Sequence, residues 1–114
     1  MPPKKNPLKL NALQLKTLTL FQALANDSSM AWRDEDSGDV VIGPLPQPHG
    51  NHFHIGAAVV MTRDASGMRN AGVWRALERK GLARGNFPHS ITLTPVGQTY
   101  QTGLSNQILH HSDH

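Results

Sequence analysis

The stretch PHGNHFHIG carries three histidines within six residues, which raises the question of a metal site. His52 and His54 lie two apart, so on a strand both imidazoles project from one face, and His49 stands across a turn from them. Three imidazole nitrogens can bind Zn²⁺ and leave a fourth position for water. The alternative is an ordinary strand with histidines on its solvent-exposed face. We favour that strand, because no cysteine and no HExxH helix accompany the histidines, and we expect no cofactor; zinc at His49, His52 and His54 is the second interpretation.

Enzymatic chemistry finds little support elsewhere in the chain. Ser66, His89 and Asp64 are residue types of a hydrolytic triad, but no nucleophile elbow surrounds them. The stretch DASGMRN has one glycine and cannot cradle a phosphate as a glycine-rich loop does, and no dinucleotide fingerprint is present. The sequence therefore predicts that the protein is not an enzyme.

The charge of the chain is unevenly spread around a net +3. Residues 27–39 hold five acidic side chains against Arg33. Residues 63–84 hold six basic side chains against Asp64 and Glu78. A basic block of this kind suits contact with nucleic acid, and the alternative is a solvated helix face.

Length and composition bound the architecture. The 114 residues suffice for a single domain, which we expect over 1–114 with flexible termini at 1–7 and 103–114. Hydrophobic residues make up 38% of the chain, which predicts a modest core built mainly of leucine, valine and alanine. The chain has no cysteine and no apolar run near the roughly 20 residues of a membrane span. We expect a cytoplasmic protein without a membrane partner.

Two helices are predicted from periodicity and capping signals. Apolar residues recur at spacings of three, four and seven over 11–25, with Asn11 as N-cap and Gln14 completing a capping box. Asn70 caps a second helix over 70–80, and Gly81 follows it as expected at a helix C-terminus. Between them, the acidic stretch 28–39 is predicted to be a loop. Residues 39–43 and 52–56 are predicted to pair as a hairpin, with His52 and His54 on the face opposite Phe53.

The stretch LERKGLARGNFPHSITLTPVG, residues 77–97, carries a family resemblance. It is similar to the recognition helix, wing and final strand of winged helix-turn-helix domains, particularly the MarR-like bacterial regulators. Those helices end in Leu-Glu-basic-x-Gly-Leu, as residues 77–82 do, and their wing runs into Leu-Thr-Pro-x-Gly, as residues 93–97 do. Gly81 permits the left-handed turn out of the helix, and Pro95 fixes φ at the first turn of the next one.

The resemblance implies an α+β fold: a winged helix-turn-helix with an extra β-hairpin insertion at about 28–54, between the opening helix and the helix-turn-helix. It assigns the first helix of that motif to 56–64, a wing that pairs 82–85 with 90–94, and a closing helix over 95–101. Two features depart from the family. The insertion replaces a much shorter connection, and Asn70, Ala71 and Gly72 stand where the family often has Ser, Thr and Arg.

The resemblance also implies a function, that of a small DNA-binding transcriptional regulator. Arg75 and Arg79 would lie on the exposed face of the recognition helix, and Asn70 would read an adenine edge. The implied DNA-contacting residues are Arg63, Arg69, Asn70, Arg75, Arg79, Lys80, Arg84 and His89. The alternative function is a protein–protein interaction or homodimerisation module without DNA binding, because winged helices also serve that role. Trp32 is its best interface candidate.

Overall fold

The computed structural model describes residues 6–48 and 50–111. In chain order the elements are α1 (Ala12–Ala25), β1 (Ala31–Arg33), β2 (Val40–Ile42), β3 (His52–Ile55), β4 (Ala58–Met61), a 3₁₀ helix (Thr62–Ala65), α2 (Ala71–Arg79), β5 (Ala83–Asn86), β6 (Ser90–Leu93), α3 (Pro95–Thr99), α4 (Ser105–Ile108) and β7 (His110–His111). Helices and antiparallel sheets share one core, so the predicted α+β class is confirmed. Among the described residues, every helix is too short or too polar to cross a membrane.

The opening helix α1 forms where its periodicity predicts. Asn11 accepts a hydrogen bond from the Gln14 backbone N–H, and the Gln14 side chain accepts one from the Asn11 backbone, so the capping box is confirmed. Its buried face carries Leu18, Phe21 and Leu24, which pack against α2 and the larger sheet. This helix supplies the centre of the core.

The larger sheet has four antiparallel strands in the order β1-β2-β6-β5. The hairpin of β5 and β6 pairs Ala83 with Leu93 and Asn86 with Ser90, so the predicted wing pairing is confirmed. Val40 and Ile42 of β2, together with Ile91 and Leu93 of β6, face the core. The outer face carries the alternate residues of the same strands.

The predicted pairing of 39–43 with 52–56 is wrong. Both edges of β2 are occupied, by β1 on one side and β6 on the other. The acidic stretch 28–39, which is predicted to be a loop, contains the strand β1 that pairs with β2. The proline-rich residues 44–48 lead the chain away to a second sheet, with strand order β3-β4-β7. Phe53 and Ile55 are buried and His54 is exposed there, so the predicted alternation of the HFHI strand is confirmed.

The predicted helix over 56–64 is also wrong. Gly56, at φ 57°, and Ala57 form a two-residue connection that pairs Ile55 with Ala58 and starts β4. Glycine adopts this left-handed conformation without a steric cost, and the β-branched Val59 and Val60 favour a strand. The short 3₁₀ helix Thr62–Ala65 follows, so the first helix of a helix-turn-helix does not form in this segment.

The second predicted helix and the chain after the β5–β6 hairpin have regular structure. Helix α2 begins at its Asn70 cap, and Gly81, at φ 75°, lies just beyond its end, as predicted. Thr94 caps α3, which spans five residues and is shorter than the predicted 95–101. Residues 105–111, assigned from sequence to a flexible terminus, form α4 and β7, and β7 pairs with β4. Residues 1–5 and 112–114 lie outside the described part of the chain.

Candidate nucleic-acid interface

The exposed face of α2 carries two arginines. Val73, Trp74 and Leu77 bury the opposite face in the core, which directs Arg75 and Arg79 into solvent. The two arginines are four residues apart and therefore neighbours on the helix surface. Across residues 6–48 and 50–111, neither makes a hydrogen bond or an ion pair. The two guanidinium groups, with five N–H donors each, are thus available to an external acceptor.

Asn70 has a structural role at the start of the same helix. Its Oδ1 accepts hydrogen bonds from the backbone N–H of Gly72 at 2.9 Å and of Val73 at 3.2 Å. A bidentate contact with adenine needs both the oxygen and the nitrogen of an asparagine amide. Because the oxygen is engaged in capping, the predicted base contact would compete with the cap.

A hydrogen bond and an aromatic contact hold the β5–β6 hairpin against α2. Glu78 Oε2 accepts a hydrogen bond from the Gly85 N–H at 2.9 Å. The Phe87 ring, in the loop between the strands, meets the buried Trp74 ring edge to face, with the centroids 4.8 Å apart. His89 is exposed in that loop. Helix and hairpin therefore present one continuous surface.

Two other predicted DNA contacts are tied to the fold. The Arg84 guanidinium forms an ion pair with the buried carboxylate of Asp39, at the end of the acidic stretch. Lys80 Nζ donates a hydrogen bond to the Leu8 carbonyl at 2.7 Å and holds the N-terminal segment against the end of α2. Both charges already have partners, unlike those of Arg75 and Arg79.

The remaining predicted contacts precede α2. Arg63 is exposed in the 3₁₀ helix. Arg69, in the turn before Asn70, is exposed and donates a hydrogen bond of 3.4 Å to the Pro46 carbonyl. This bond is long, and the charge remains accessible to solvent.

Sequence reasoning missed Asp39 and Phe87. Asp39 pairs with Arg84, 45 residues away along the chain, and no local pattern indicates that contact. Phe87 falls in a loop, and its packing on Trp74 depends on how the hairpin folds back over α2. The one signal available for Asp39 is its place next to the β-branched run of β2, where an acidic side chain needs a partner if it becomes buried.

The histidine stretch is described only in part, because His49 lies outside the described residues. The rings of His52 and His54 are neighbours, with centroids 5.0 Å apart and planes at 84°. Asn51 Oδ1 is 3.4 Å from His52 Nδ1. Within the described ranges, no group of three or more histidine, cysteine, aspartate or glutamate side chains could hold a metal ion. Zinc bound by His49, His52 and His54 stays the second interpretation, because His49 is not described.

One carboxyl group of the acidic stretch has a shifted pKa. Hydrogen bonds from the Ser29 side chain and backbone lower the pKa of Asp27 below its ordinary value of 3.8, because they stabilise the carboxylate. Asp34 uses its carboxylate to accept a backbone hydrogen bond from Asp36 at 2.9 Å, within the turn that joins β1 to β2. Glu35 and Asp36 are exposed in the same turn.

Comparisons with known proteins identify no relative. No family model matches the chain. Neither a curated protein nor a solved structure matches it.

Proposed function

We propose that the protein binds double-stranded DNA through the outer face of α2 and the β5–β6 hairpin, as a small winged-helix regulator of transcription. The observation that carries the proposal is the state of Arg75 and Arg79: both are exposed, and neither has a partner among the described residues. Phosphate contacts from such side chains dominate the affinity of proteins for DNA.

The order of elements supports the same proposal. A helix that leads directly into a two-stranded hairpin is the arrangement implied by the resemblance at 77–97. Here β2 adds a third strand beside β6, and Glu78 and Phe87 hold the hairpin against the helix. The first helix of the motif is replaced by β4 and the 3₁₀ helix, so recognition relies on α2 and the hairpin alone.

The residues on this surface favour phosphate contact over base readout. Gly72 offers no side chain to a base edge, Ala71 offers a methyl group, and the Asn70 oxygen is used in capping. The positive charge of this surface comes from Arg63, Arg69, Arg75 and Arg79. Residues 70–72 give these arginines little help in reading a base edge. We therefore expect binding that depends strongly on salt and weakly on DNA sequence.

The test is fluorescence anisotropy with a labelled duplex of random sequence at about 50 mM salt, where electrostatic binding is strong. We expect the anisotropy to rise as the protein reaches micromolar concentrations, and the affinity to fall steeply as salt is added. An unchanged signal at micromolar protein would exclude DNA binding by the isolated chain.

The second candidate function is a protein–protein interaction module without DNA binding. One observation favours it: Trp32 is 62% exposed on a strand of the larger sheet. Tryptophan is enriched at the energetic centres of protein interfaces. Trp32 does not stand alone, because it adjoins a cleft whose lining includes Met30, Pro44 and Leu45. Failure of the DNA titration would make this the favoured function.

A further inference from the structure

The outer edge of β1 combines an exposed tryptophan with open backbone groups. Strand β1 lies at the end of the larger sheet, with β2 on its inner side. Met30 accepts a hydrogen bond from the Gly43 N–H, and the Asp34 N–H donates to the Asp39 carbonyl. Along an antiparallel pair of strands, every second residue exchanges backbone hydrogen bonds with the opposite strand. Met30 and Asp34 are two such positions on the β2 side, so Trp32, midway between them, is the third. The N–H of Arg33 and the carbonyl of Ala31 therefore point away from the sheet.

An apolar cleft adjoins the same edge. Trp32 lies opposite Val41, whose neighbours Val40 and Ile42 face the core, so the indole is on the outer face of the sheet. Beside it is a cleft of about 540 Å³, with more apolar than polar lining. Its lining residues include Met30, Trp32, Pro44 and Leu45. The edge thus carries a large apolar side chain and a recess next to it.

We propose that a second copy of this chain pairs with β1 across a twofold axis at Trp32. The two β1 strands then run antiparallel and extend the larger sheet from four strands to eight. Ala31 of one copy faces Arg33 of the other. The Arg33 N–H of each copy donates a hydrogen bond to the Ala31 carbonyl of the other copy. The symmetry makes that bond twice, so two backbone hydrogen bonds join the copies. The Ala31 N–H is bonded to the Asp27 carbonyl and forms no bond to the second copy.

The side chains of this edge are self-complementary under the same axis. The two Trp32 residues form a non-hydrogen-bonded pair, in which side chains approach most closely. The diagonal neighbour of each indole is Met30 of the other copy, on the rim of the cleft, and an aromatic side chain can span that separation. Each tryptophan therefore enters the recess of the other copy, as an isologous interface requires.

The charges on the two copies do not oppose the pairing. The register places Asp34 opposite Met30 of the second copy, and residues 35–37 form a turn beyond the paired strands. Within the paired strands no two acidic residues face each other, although residues 34–36 are all acidic. The two acidic turns lie at opposite ends of the shared strand pair. An antiparallel pairing is thus compatible with an acidic edge.

The test is sedimentation equilibrium of the full chain without DNA, from about 1 μM to about 1 mM. We expect a reversible monomer–dimer equilibrium. Trp32→Ser should weaken dimerisation at least about 30-fold, the loss typical of an interface hot spot. Val96→Ser changes a valine on α3 that is 56% exposed and belongs neither to β1 nor to the lining of the cleft, and it should leave the equilibrium unchanged.

A second variant tests the backbone contact. Arg33→Pro removes the outward N–H, and proline is tolerated where an edge-strand N–H faces solvent. It should abolish the dimer, whereas Arg33→Gln should retain it. Circular dichroism confirms that each variant is folded. A chain that stays monomeric throughout, an oligomer other than a dimer, or a dimer unaffected by Trp32→Ser and Arg33→Pro would overturn the proposal. None of these outcomes depends on DNA binding.

Discussion

The two ends of the larger sheet differ in charge and in the placement of their tryptophans. At the β1 end, Trp32 is exposed beside an acidic turn. At the β5 end, Trp74 is buried on the inner face of α2, and the exposed face of that helix carries Arg75 and Arg79 beside Glu78. Three strand spacings, about 14 Å, separate the edge strands of this sheet. The two proposed interfaces divide along this difference, with DNA proposed at the arginines of α2 and a second copy of the chain proposed at Trp32.

The largest expected effect comes from comparing the two tryptophans. Trp74 is fully buried, meets Phe21 edge to face at 5.8 Å, and donates its indole N–H to the Met68 carbonyl at 2.8 Å. Trp74→Ala should lower the free energy of unfolding by about 3–5 kcal/mol. Trp32→Ala should change it by less than about 0.5 kcal/mol at protein concentrations at which the chain is monomeric. Urea unfolding followed by circular dichroism measures both, and equal losses would contradict the comparison.

The Arg84–Asp39 ion pair is the contact at which the acidic and basic segments meet. Arg84→Ala would leave the buried carboxylate of Asp39 without its partner, and we expect a loss of about 1–3 kcal/mol in unfolding free energy. Arg79→Ala, which removes an unpaired and exposed arginine, serves as the control and should have no measurable effect on stability. If the two variants unfold at the same urea concentration, the ion pair is not a structural contact.

Asn70 distinguishes a capping role from a base-reading role at the β5 end. Asn70→Ala should cost about 0.5–2 kcal/mol of stability, because the N–H groups of Gly72 and Val73 lose their acceptor. Asn70→Ser should retain nearly full stability, since serine also caps helices. Thermal unfolding reports stability, and competition between duplexes reports base preference. A loss of base preference in a fully stable Asn70→Ser protein would restore the adenine contact.

The smallest effect concerns pH at the acidic end. The pKa of Asp27 is lowered in the folded state, so its contribution to stability is present above its ordinary pKa of 3.8. It is lost as pH falls through the lower folded value. The unfolding temperature should therefore fall less steeply below pH 4 in Ser29→Ala, which lacks the side-chain hydroxyl that donates to Asp27. An identical pH profile for wild type and variant would show that this hydrogen bond does not act on stability.

Local signals predicted the local elements well. The capping residues Asn11 and Asn70 mark helix starts, and the β5–β6 hairpin joins strands that are neighbours in sequence. The partners of β2 were not predictable in this way, since β6 lies about 50 residues further along the chain. At 56–64 the two-residue turn at Gly56 and the pairing of β4 with β3 and β7 override the helical interpretation.

In the candidate site too, local sequence patterns predict some features and miss the contacts between distant parts of the chain. Helical periodicity alone places Arg75 and Arg79 on the face opposite Trp74. Periodicity does not indicate that Lys80 bonds to Leu8, 72 residues earlier, or that Arg84 pairs with Asp39. Both contacts depend on tertiary folding, and both reduce the number of charges available to a ligand. The dimer edge has the same origin, since β1 becomes an edge only once β2 pairs with β6.

The most direct test of DNA binding at the β5 end is the salt dependence of affinity in matched arginine variants. Each phosphate contact contributes about 0.9 to the slope of log K against log salt. Arg75→Gln with Arg79→Gln should therefore reduce that slope by about 1.8 and weaken binding to all sequences alike. Arg33→Gln, which removes one charge at the β1 end, should leave the slope unchanged. A slope that falls equally in Arg33→Gln, or that persists without Arg75 and Arg79, would contradict the assignment of DNA binding to α2.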